Sequence, residues 1–86
     1  MIMDKHEKEK LKGIIESEFG DDFKINYKTL SASRGEPEEH AYISYGDEQI
    51  GSLQYFPKCH VSCGVKYLEN FMRLRENVAK ALEEDF

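Results

Sequence analysis

The sequence predicts an α+β domain of order α-β-β-β(-β)-α, with two helices packed on one face of a three- or four-stranded antiparallel sheet. Three observations predict it. Residues 4–19 carry apolar side chains at helical spacing, residues 23–56 alternate apolar with polar, and residues 67–86 return to helical spacing. Helices that bracket a run of strands bury their stripes against one sheet face and leave the other face open.

The first helix is expected over Asp4–Phe19. Asp4 with Glu7 makes an Asp-x-x-Glu capping box, and Leu11, Ile14, Ile15 and Phe19 share a face. Gly20 is placed to end the helix in a left-handed conformation. Lysines 5, 8, 10 and 12 at the start and Glu16 and Glu18 at the end oppose the helix dipole. Gly13 costs about 1 kcal/mol relative to alanine. Tertiary contacts must therefore hold this helix.

After the turn Asp21-Asp22, Phe23, Ile25, Tyr27 and Thr29 alternate with Lys24, Asn26 and Lys28, the pattern of a half-buried strand. Ser31–Glu39 reads as a polar loop. Ala41, Ile43 and Tyr45 alternate with His40, Tyr42 and Ser44 in a second strand, and Gly46-Asp47-Glu48 connects it to a third over Gln49–Phe56. Both faces of that third strand carry something apolar. His60–Cys63 reads either as a brief fourth strand or as an extended linker. Tyr67, Leu68, Phe71, Leu74, Val78, Ala81 and Leu82 form one stripe of the last helix. It spans too few heptads for a coiled coil, so packing on the sheet is expected.

A chain of 86 residues is one domain, 1–86, with a core too thin for a deep enclosed site. A groove, an open face or a homodimer interface is the natural functional element. The net charge of −5 opposes bulk capture of nucleic acid. The first residues carry no apolar run of signal-peptide or membrane-span length, so a cytoplasmic location is expected, with Cys59 and Cys63 as thiols.

No phosphate loop, His-Glu-x-x-His or Gly-x-Ser-x-Gly stands in the chain, so binding is expected rather than catalysis, without a cofactor. Cys59, His60 and Cys63, with His40, offer only half a zinc site, and an extended chain sends Cys59 and His60 to opposite faces. A thiol nucleophile would need His40 beside one of the cysteines.

Two surfaces remain. Acidic residues cluster at Glu16, Glu18, Asp21 and Asp22, at Glu36, Glu38 and Glu39, and at Glu83–Asp85. With Tyr42 they predict an interaction module that docks on a basic protein, in the manner of the small inhibitors that phages encode. The alternative is a nucleic-acid-binding sheet face, where Lys24, Asn26 and Lys28 line up with His40, Tyr42 and Ser44. The order α-β-β-β-α is shared with double-stranded-RNA-binding domains, but Gly64–Glu69 lacks the lysine cluster that opens their second helix.

Overall fold

A computed structural model describes residues 5–31, 35 and 37–85. The expected cap at Asp4, the loop residue Glu36 and the terminal Phe86 lie outside the described residues. The elements run α1 (Lys5–Phe19), β1 (Lys24–Leu30), β2 (Glu38–Tyr45), β3 (Glu48–Phe56), β4 (His60–Cys63), a short 3₁₀ turn (Val65–Tyr67) and α2 (Leu68–Asp85). The α+β class holds, and His60–Cys63 is a true fourth strand. The sheet is an antiparallel meander in the order β1-β2-β3-β4. This fourth strand separates the chain from the three-stranded order of the double-stranded-RNA-binding domains.

Alternation decides the layers. Ile25 and Tyr27 of β1 pair with Ile43 and Ala41 of β2, and these pair with Gly51 and Leu53 of β3. Gly51 and Leu53 pair in turn with Cys63 and Val61 of β4. This face receives Leu11, Ile15 and Phe19 of α1 and Phe71, Leu74, Val78 and Ala81 of α2, forming one core. Two register shifts, between Glu39 and His40 and between Ile43 and Ser44, explain why β3 shows no clean face in sequence. At each shift β3 carries one residue more than β2, so Ile50 and Phe56 are buried out of strict alternation with Gly51, Leu53 and Tyr55.

The predicted weakness of α1 is offset by specific ties. Gly20 at φ 71° donates its N–H to the Glu16 carbonyl at 2.7 Å, closing the helix as expected. Tyr27 donates its hydroxyl to Glu16 at 3.2 Å, with Lys12 Nζ 4.9 Å from its ring centre. Burial, then the negative charge of Glu16, pushes the Tyr27 hydroxyl pKa upward. Asn70 and Arg73 of α2 both donate to the Glu18 carboxylate. Phe19 lies between Phe23 and Phe71, at centroid distances of 5.3 and 5.1 Å. The α2 stripe departs from expectation at one position, because Leu68 is half-exposed. No helix among the described residues is long and apolar enough to cross a membrane.

Candidate binding face of the sheet

The side chains that alternate away from the core make one continuous outer face. Its cross-strand rows follow from the register. One row runs Lys28, His40, Gln54, His60, and the next runs Asn26, Tyr42, Ser52, Ser62. Lys24 pairs with Ser44, and Ser44 with Gln49, at one end. Leu30 pairs with Glu38 at the other. The helices cover the opposite face, so these rows face solvent.

Tyr42 sits on a central strand in the middle of this face. The His40 ring lies parallel to it, with centroids 6.0 Å apart and planes 10° from parallel. Lys28 Nζ stands 5.5 Å from the Tyr42 ring centre. The two rings and the ammonium form one cluster at the middle of this face, with attraction between the cation and the Tyr42 ring. His40 Nε2 lies 2.9 Å from Glu38 Oε1. Among the described strand residues of this face, Glu38 supplies the one carboxylate, against Lys24 and Lys28. An acidic chain has thus kept its outer sheet face nearly free of acid.

The residues expected from sequence fall into separate places. Lys24, Lys28 and Tyr42 share the outer face, as does His40. Glu38 and Glu39 are not loop residues but open β2. Consecutive strand residues point oppositely, so Glu38 faces out and Glu39 faces in. Glu39 is buried at 6% exposure. The Thr29 hydroxyl lies 3.0 and 3.1 Å from its two carboxylate oxygens, and Lys8 Nζ stands 3.2 Å away. A carboxylate so engaged fixes α1 to the sheet. The Tyr55 hydroxyl is buried beside it without closing a hydrogen bond to any described group. Burial first, and then the Glu39 charge, push the Tyr55 pKa up to about 12.

Asp21 and Asp22 are exposed in the turn between α1 and β1. Beside them a shallow pocket of about 220 Å³ is lined by Glu16, Gly20, Asp21, Phe23 and Ile25.

Cys59 and Cys63 are free thiols that pack on the core side, whereas His40 and His60 lie on the outer face. The sheet therefore separates the sulfur from the imidazole ligands. No group of three His, Cys, Asp or Glu among the described residues is placed to hold a metal ion. Burial raises the Cys59 pKa, and the nearby Arg75 charge opposes the rise.

Sequence reasoning misses the contribution of β3 and β4 to the outer face. It groups His60 with its cysteine neighbours rather than with His40. The signal is present in the alternation of His60 and Ser62 with Val61 and Cys63. No family model, no curated protein and no solved structure matches this chain.

Proposed function

We propose that the protein is a binding module whose working surface is the outer face of the sheet, and that its ligand is a single nucleic-acid strand. One observation carries this reading. Tyr42 stands with the parallel His40 ring and the Lys28 ammonium beside it, on a face where Lys24 and Lys28 are set against one carboxylate. Bases stack on such a ring regardless of their identity, and the lysines meet the phosphates. Asn26, Gln54 and the row of serines offer hydrogen bonds to base edges or sugars. The acidic charge on the rest of the molecule suppresses wrapping of duplex and confines contact to this face. Such a module works in the cytoplasm, where thiols such as Cys59 and Cys63 stay reduced.

The test is fluorescence anisotropy with labelled single- and double-stranded RNA and DNA of about 12 nucleotides, near the site size of such platforms. Saturable, salt-sensitive binding of single strands, lost in Tyr42→Ala and weakened in Lys28→Ala, supports the reading. Absence of binding at about 100 µM protein and low salt rejects it.

A second reading is favoured by the pocket at the α1–β1 turn. It joins the carboxylates of Glu16 and Asp21 to the rings and methyls of Phe23 and Ile25. This combination suits a lysine or arginine from a basic protein partner, with the stem on the apolar lining and the charge at the rim. The module would then act as an acidic inhibitor. Asp21→Asn with Asp22→Asn would weaken such a partner at low salt, and unchanged capture would remove this surface.

A further inference from the structure

The outward side of α2 carries an apolar stripe that the core does not use. Val65, Leu68 and Met72 are 90%, 50% and 48% exposed, and they succeed one another on one side of the chain entering and opening α2. Further along the same side come Arg75 and Glu76, the half-buried Ala79, and Glu83. With Cys59 of the β3–β4 connection, Met72, Arg75, Glu76, Ala79 and Glu83 line a shallow groove along the helix, with Arg73 and Lys80 along its edge. The spacing i, i+3, i+4, i+7 makes this a helix face, set away from the buried Phe71, Leu74, Val78 and Ala81.

We propose that a second copy of this chain docks on this face, with the two α2 helices antiparallel and a two-fold axis passing between Arg75 and Glu76. An isologous interface requires that residue i meet j while j meets i. The stripe satisfies that rule about this axis. Met72 meets Ala79 of the second copy, a long side chain over a small one. Arg75 meets Glu76 of the second copy, twice by symmetry. Leu68 meets Glu83 of the second copy, at the two ends of the interface. A parallel arrangement would instead place Arg75 on Arg75 and Glu76 on Glu76. Charge complementarity thus selects both the second copy and its direction. The two sheets would lie on the outside of the pair, so their outer faces would remain open. The inference does not rest on the ligand proposed for those faces.

An 18-residue helix is about 27 Å long, so the pair buries less than the ~1,200 Å² of a tight complex. A dimer of micromolar affinity is expected. Sedimentation velocity from about 10 to about 500 µM should show the monomer pass to dimer. Arg75→Glu and Glu76→Arg are exposed helix positions and leave the fold intact, as circular dichroism will verify. Each variant alone should stay monomeric, because each faces its own charge. Mixed together they should form a heterodimer, since the paired carboxylates of one variant then face the paired guanidinium groups of the other across the interface. The double variant should recover the wild-type dimer. A wild-type chain that is monomeric throughout overturns the proposal and leaves the stripe to a different protein. Single variants that dimerise as well as wild type, or a mixture that fails to associate, also overturn it.

Discussion

Phe71 of α2 sits directly against Gly51 of β3. A Cβ at position 51 would stand 2.6 Å from Phe71 Cζ, 2.6 Å from the Ser62 carbonyl oxygen and 2.9 Å from Cys63 Cβ. The missing side chain lets the helix ring rest on the sheet backbone where β3 and β4 pair. The close approach of α2 to the sheet thus depends on a hydrogen atom at one residue.

Gly51→Ala should therefore destabilise the protein by about 1–3 kcal/mol, because neither the ring nor the β4 backbone has room to yield. Gly13→Ala is the matched control. It lies on exposed helix with nothing within 4 Å of the added methyl. It should stabilise by about 0.4–1 kcal/mol, through helix propensity and a less flexible unfolded chain. Urea unfolding of the two variants measures both signs.

Tyr55 should govern alkaline stability. Its folded pKa stands at about 12 against 10.0 for an ordinary tyrosine. A proton is thus held more tightly in the folded chain. The resulting stability is complete below pH 10 and disappears as pH rises through about 12. Its size is at most about 2–3 kcal/mol. Tyr27, raised in the same direction, adds to the effect. Tyr55→Phe should change stability at pH 7 by less than about 1 kcal/mol, because the buried hydroxyl closes no hydrogen bond. Above pH 10 it should be more stable than wild type. Unfolding midpoints at pH 7 and pH 11 compare the two, and an equal loss in both proteins would dissociate Tyr55 from the transition.

On the outer face, stacking and charge should separate by their salt signatures. Tyr42→Ala should lower single-strand affinity by about 1–3 kcal/mol at every salt concentration. Lys28→Ala should lower the slope of log K against log salt by about 0.7, the value for one phosphate contact on a single strand. Titrations at several salt concentrations resolve the two. Identical slopes in wild type and Lys28→Ala would show that the lysine meets no phosphate.

Cys59 should be a slow nucleophile. Its half-buried thiol lies 3.7 Å from the Arg75 carbonyl oxygen, and burial raises its pKa. At neutral pH the thiolate is scarce, so alkylation of a Cys63→Ser variant should lag behind a free-thiol peptide and go on rising with pH after the peptide's rate has levelled off. Rapid labelling at pH 7 would mark Cys59 as an activated thiol and reopen a chemical role for it.

Sequence alone carried much of this architecture. The period-2 alternation of Phe23–Thr29 and His40–Tyr45 assigned the two faces of β1 and β2 correctly, because each strand has one dry side and one wet side. The stripe Phe71, Leu74, Val78, Ala81 placed α2 on the sheet. The outer face was legible through Lys24, Lys28, His40 and Tyr42, which stand at even spacings within their strands. Tertiary structure decided the rest. The role of Glu39 depends on Thr29 and Lys8, which reach it from a neighbouring strand and from a helix, and no local pattern encodes that meeting. The faces of β3 depend on two register shifts, which arise from pairing with β2 rather than from β3 itself. The grouping of His60 with His40 depends on β4 adding to the far edge of β3. Local propensity and periodicity act within a few residues, whereas these features arise between residues that only folding brings into contact.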